Sequence, residues 1–157
     1  PAAPERRGTH GIVRTAFRVA DDRAIEYWMQ RLTDFGVPEL ARTDRDGRSG
    51  IEFEDFEGQR LAIVTDGGSG EAHPWERSEV PAEFQIRGLG PITISVPTLE
   101  PTERTLTSLM RMRREREYER PSTDGGDLLV PVTVFSMGPG GAAAELHVAV
   151  EPHLPPT

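Results

Sequence analysis

The sequence predicts an α+β fold built of two tandem βαβββ modules. Three observations predict it. Strand-type alternation over 12–19 is followed by a helix-type apolar stripe over 25–35. The same order restarts near residue 88, an offset of about 80 residues. Between the two lies a stretch, 66–84, rich in Gly, Pro and charge. One such unit is too small to cover both faces of a four-stranded sheet, whereas two packed together can.

In the first module, Val13, Thr15, Phe17 and Val19 alternate with Arg14, Ala16 and Arg18, as in a half-buried strand. Asp21 and Asp22 offer a helix N-cap and acidic charge at the positive end of the helix dipole. Ile25, Trp28, Met29, Leu32 and Phe35 form the apolar stripe of a helix of about four turns. Gly36 ends that helix in a left-handed cap, and Pro38 prevents its resumption. A weak strand over 39–43, a second over 51–54, a turn over 55–58 and a third strand over Arg60–Thr65 complete the unit. The segment 66–84 reads as a connection pinned to the body by Trp75.

In the second module, Gly88-Leu89-Gly90-Pro91 leads into a strand over 92–96. Thr98 can cap a helix with Pro101 in its first turn and Leu99, Leu106, Leu109 and Met110 as its stripe. Residues 113–120 (RREREYER) alternate in charge and predict an exposed edge strand, with a charged helical extension as the alternative. An apolar strand follows over 127–135, where Pro131 points to an edge or a bulge. A Gly-rich turn over 138–141 and a last strand over 142–150 close the unit. The expected modules are thus 1–66 and 86–151, with a linker over 67–85 and a tail over 152–157. The Met-less start and Pro-rich end read like linkers and point to a piece of a longer protein.

Composition excludes several functions. Against 26 acidic residues stand 18 cations, all Arg, so the net charge of −8 argues against a nucleic-acid backbone as partner. No apolar run approaches the length of a membrane span, and no signal-peptide pattern opens the chain. Without cysteine there is no disulfide, thiolate metal site or Cys nucleophile, and a reducing cytoplasm suits such a chain. The Gly-rich runs at 67–70 and 138–141 lack the Lys of a phosphate loop, and no nucleophile elbow is present. Asp55, Glu57, Asp124 and Asp127 read as solvated loop acids rather than calcium ligands.

The segments GIVRTAFRV at 11–19, IEYWMQRL at 25–32, IEFEDFEGQRLAIVTD at 51–66 and IRGLGPITISV at 86–96 carry a resemblance. Their order and spacing resemble the vicinal oxygen chelate superfamily, which includes glyoxalase I, bleomycin-resistance proteins and extradiol dioxygenases. They are similar in particular to the central modules of four-module ring-cleaving dioxygenases acting on hydroquinone-type substrates. That resemblance implies a facial triad of two His and one Glu around Fe(II) or Mn(II) in the full-length parent. It places the His positions on Val13 and Arg14 in the first module and on Gly90 and Pro91 in the second. It places the last-strand carboxylate on Ala62 and Glu145. Only Glu145 can ligate, so the set is incomplete. The resemblance implies that the metal ligands lie in the outer modules, with no cofactor and no catalytic residue in this chain.

The four histidines read separately. His10, His73 and His153 fall in connecting or terminal stretches and are expected in solvent. His147 lies two residues from Glu145, so strand periodicity puts both on one sheet face with Ala149 and Glu151, while Leu146, Val148 and Val150 face the helix. By the same periodicity Arg14, Arg18 and Arg60 line the non-helix face of the first module, and Thr93, Ser95, Glu145, His147 and Glu151 that of the second. If the modules pair, these rows share a concavity. Two readings stand: a pocket for a small anionic or phenolic ligand held by Arg, or Arg–Glu pairs that fill the cleft and fix module orientation.

The expected function is the non-metal portion of an extradiol-type dioxygenase acting on hydroquinone or catechol aromatics, inactive alone. The alternative is a metal-free small-ligand-binding protein of the bleomycin-resistance type. The expected partner is a small aromatic substrate of the parent, with homo-oligomerisation available to cover faces left exposed.

Overall fold

Because charged and apolar side chains alternate along its strands, the sheet acquires two unlike faces. In the computed structural model, which describes residues 7–157, the first module supplies β1 (Gly11–Val19), α1 (Asp22–Asp34), β2 (Ala41–Arg45), β3 (Arg48–Glu54) and β4 (Arg60–Thr65). The second supplies β5 (Gly88–Val96), α2 (Glu100–Arg104), β6 (Arg113–Pro121), β7 (Leu129–Ser136) and β8 (Glu145–Val150). The eight strands form one sheet in the order β2-β3-β4-β1-β5-β8-β7-β6. Each module pairs its first strand in parallel with its last, β1 with β4 and β5 with β8. The modules join at the centre of the sheet through antiparallel β1 and β5. The linker-like start at Pro1 lies outside the described residues.

One face is apolar and carries the helices. Val19, Ile25, Ile51 and Ile63 form the core under α1, flanked by Trp28, Met29, Leu32 and Phe53. Val96, Leu106, Met112, Phe135 and Val148 form the matching core of the second module. The α1 N-cap is Asp21, whose carboxylate accepts from the Ala24 amide at 3.1 Å, and Gly36 follows the helix at φ 74°. Close approach sets the glycines at the start of β5: a Cβ on Gly90 would sit 3.2 Å from the Arg18 side chain and 3.3 Å from Ala16.

Several expectations need correction. Phe35 does not join the α1 stripe; it lies at the C-cap, 73% exposed, under the Arg31 guanidinium. In the second module Leu109 and Met110 also face outwards, because α2 has only five α-helical residues before wider π-type turns over Thr105–Leu109 shift the phase. Met112 takes the core position instead. Leu99, not Thr98, stands at the α2 N-cap, with no side-chain cap bond.

Trp75 does not pin the connection, being 65% exposed. Phe84 does so: it stacks on Tyr27 at 4.8 Å, and its carbonyl accepts from the Trp28 indole at 2.7 Å. Pro131 sits in an interior strand rather than at an edge. It is tolerated there because pairing of β7 to β8 begins only at Val132. The C-terminal stretch is not a free linker either: Thr9 donates to the Pro155 carbonyl, and Thr157 donates back to Thr9.

Candidate functional site

The other face of the sheet is concave and polar. A row of side chains crosses it in register, Arg14 beside Thr93, Thr93 beside His147, His147 beside Val134 and Val134 beside Arg116. The sheet curls until its two ends meet. The turn between β2 and β3 is a two-residue Asp46-Gly47 hairpin loop with positive φ at both residues, 55° and 70°, the geometry Asp-Gly favours. That turn carries Asp46 across to β6, where Arg116 grips both of its carboxylate oxygens, Nε at 2.6 Å. Arg48 on β3 reaches Glu145 on β8 with two hydrogen bonds, 2.7 and 3.0 Å.

Glu145 is the hub of this network. It accepts from Arg48 and from both Arg116 nitrogens at 3.1 Å, and its Oε2 lies 3.3 Å from His147 Nε2. Burial pushes its carboxyl up, but the hydrogen bonds from His147, Arg48 and Arg116 outweigh this and hold it well below the usual carboxylate range. The other ring nitrogen of His147, Nδ1, lies 2.8 Å from the Tyr118 hydroxyl. Burial raises the Tyr118 phenol to about 12. Arg14 pairs with Glu52 at 2.8 Å, and Arg45 shares the same Glu52 oxygen. Between these groups remains a cavity of only about 60 Å³.

The predicted residues therefore separate into three places. Arg14, Thr93 and His147 line the central cavity, with Glu145 beside it. Arg60 and Glu151 lie towards one end. There Glu151 is fully buried and accepts from the Thr123 amide at 2.6 Å and its hydroxyl at 2.7 Å, while Arg60 donates to the Thr123 carbonyl. Ser95 is also fully buried. Arg18 lies apart at the opposite end, bonded to Asp66 and to the carbonyls of Arg87 and Leu89. It ties the first module to the start of β5 rather than lining the central cavity.

Asp46, Arg48, Glu52, Arg116, Tyr118 and Arg120 complete the concave face beyond the predicted set. Two signals carried this. Asp46-Gly47 is a strong hairpin dipeptide, and strand alternation over 113–120 puts Arg116, Tyr118 and Arg120 on one face. Of the remaining histidines, His10, His73 and His153 are exposed. His153 nonetheless meets the Ser122 hydroxyl at 2.8 Å.

No protein-family profile matches the chain. Over 154 residues it is 36% identical to MhqA of Bacillus subtilis (strain 168), provisionally named a ring-cleaving dioxygenase; the match covers 98% of this chain and 47% of that protein. A crystal structure of a provisionally named dioxygenase from Bacillus subtilis aligns with a TM-score of 0.73 at 25% identity, covering 93% of this chain and 42% of that one. Glyoxalase I from Zea mays shares the fold, with a TM-score of 0.60 at 13% identity over 94% of this chain and 45% of its own. The chain belongs to the vicinal oxygen chelate superfamily. It spans about half the length of the curated relatives it matches.

A divalent metal is the cofactor that this superfamily implies. Among the described residues Asp46, Glu145 and His147 form the one cluster of candidate ligands, their atoms within 4.8 Å of one another. The surroundings do not suit a cation. Arg48 and Arg116 occupy the carboxylate oxygens of both acids, and two guanidiniums already balance the two negative charges. Both imidazole nitrogens of His147 are engaged as well. A dication placed here would face two fixed positive charges and would have to displace hydrogen bonds that each candidate ligand already makes, so the residues as arranged do not fit the metal.

Proposed function

We propose that this chain is the non-metal half of a ring-cleaving dioxygenase that opens hydroquinone- or catechol-type aromatics with O2. The observation that carries the proposal is 36% identity to MhqA over 98% of this chain, matched to 47% of that protein. The side chains support assigning the non-metal role to this half. Val13, Gly90, Pro91 and Ala62 offer no side-chain ligand atom, Arg14 is a cation paired with Glu52, and the Asp46–Glu145–His147 cluster found among the described residues is engaged by Arg48 and Arg116. Fe(II) or Mn(II) would then be held by modules outside this chain, and the half-barrel here serves as scaffold and as one wall of the assembly. The cysteine-free sequence fits a cytoplasmic enzyme, and among the described residues no helix is long and apolar enough to cross a membrane.

For the alternative, a metal-free small-ligand-binding protein of the bleomycin-resistance type, the central cavity gives little support where the ligand is aromatic. A cavity of about 150 Å³ is what holds benzene in a protein interior. The central cavity here is about 60 Å³.

The test uses the full-length gene product. Oxygen uptake and ring-opened product are followed with substituted hydroquinones and catechols, and bound Fe and Mn are measured on the same sample. Turnover with bound metal is expected, and the double variant Glu145→Gln/His147→Ala should keep both. Loss of metal from a folded double variant would place the metal in this chain and overturn the assignment.

A further inference from the structure

Beyond the central network, the end of the concavity formed by β1, β3, β4 and β6 holds a second cavity of about 200 Å³. Five guanidiniums, including Arg14, Arg45, Arg60 and Arg120, line it against two carboxylates, Glu52 and Glu54. The wall thus carries a surplus of positive charge in a chain whose net charge is −8. Arg120 is 3% exposed. Its Nε and Nη2 are committed to the Pro121 carbonyl and the Thr123 hydroxyl. Its Nη1 is buried and has no hydrogen-bond partner among the described residues. Arg14 also lines this cavity, and its Nε is buried and without a hydrogen-bond partner among the described residues. Buried N–H groups without acceptors are costly, and on a cation more so.

We propose that this cavity binds a small oxyanion, with Arg14 Nε–H and Arg120 Nη1–H as its donors. A carboxylate or a phosphate supplies what both donors lack, an acceptor carrying negative charge. The electrostatics agree. Burial lowers the Arg14 guanidinium to about 10; Glu52 opposes this, and Arg120, Arg45 and Arg60 add to it. A bound anion would relieve that crowding. The site does not depend on the dioxygenase reading, since it is built of residues that no metal or ring chemistry requires.

The full-length protein is titrated with benzoate, succinate and inorganic phosphate at constant ionic strength. Thermal melting and the arginine Nε–H resonances provide the readouts. At least one anion is expected to saturate at one per chain, raise the melting temperature and shift the Arg14 Nε–H signal. Arg120→Met and Arg14→Met should each weaken that binding about tenfold or more. Arg42→Met, a charge-matched change on the outer face, should leave it unaltered. The arm that saturates distinguishes carboxylate from phosphate. The proposal fails if no oxyanion saturates, or if Arg120→Met binds as tightly as the parent. Should Arg120→Met not fold, an Arg14 resonance in the unaltered protein that ignores every anion is equally decisive against it.

Discussion

Arg116, on one edge strand of the sheet, holds Asp46, at the tip of the hairpin that forms the opposite edge. Among the described residues no backbone hydrogen bond joins these two edge strands. The curl of the half-barrel is closed by side-chain charge: Arg116 on Asp46, and Arg48 on Glu145.

Removing the charge at Asp46 should loosen this closure without unfolding the sheet. Asp46 has φ 55°, a conformation Asn adopts readily and Ala does not. Asp46→Asn is expected to cost about 1–2 kcal/mol through loss of the charge-assisted bonds, and Asp46→Ala about 1 kcal/mol more through the backbone. Chemical denaturation gives the ordering, and amide exchange should rise first in β2 and β3.

The pH dependence follows from Glu145 and Glu151. In both, burial pushes the carboxyl up and the surrounding hydrogen-bond donors outweigh it, so both folded values lie below the unfolded one. Their contribution is then complete above the unfolded value of about 4.5 and lost as pH falls through the depressed folded values. Stability should therefore decline steeply in acid. Glu145→Gln should flatten the decline while lowering stability at neutral pH by about 2–3 kcal/mol, since Arg48 and Arg116 keep some contact with solvent. Urea midpoints measured across that range provide the check.

Tyr118 offers a spectroscopic handle. Burial raises its phenol to about 12, so one of the two tyrosines should ionise late in an alkaline absorbance titration. Tyr118→Phe should abolish that late step. It also removes the hydroxyl 2.8 Å from His147 and is expected to cost about 1–2 kcal/mol.

Two apolar positions of the second module should respond unequally to truncation. Phe135→Ala removes a fully buried ring and is expected to cost about 3–5 kcal/mol. Leu109→Ala, at a position 79% exposed, should change stability by less than about 0.5 kcal/mol. Thermal unfolding of the two variants separates them.

Periodicity made the strands legible because a sheet with one greasy and one charged face must alternate. Val13 to Val19 and Leu146 to Val150 show it most plainly, and the facing of Glu145, His147 and Glu151 follows from the same rule. The helix ends were less legible. Phe35 and Leu109 keep the spacing of a stripe, but a cap at one and a π-type turn near the other rotate them outwards. The site was half legible. Facing within a strand is local, whereas the meeting of Asp46 with Arg116 joins residues 70 positions apart and depends on how far the sheet curls. Strand order alone does not set that distance.

The outermost strands, β2 and β6, are built almost wholly of charged and polar residues, ARTDR and RREREYERP. Unsatisfied amides and carbonyls on such rims invite a foreign strand to dock, and a guard of charged side chains discourages it. Lengthening this sheet by adding another chain's strand is thereby disfavoured. A companion copy or neighbouring module is thereby steered towards the faces, helices and loops of the molecule rather than its strand edges.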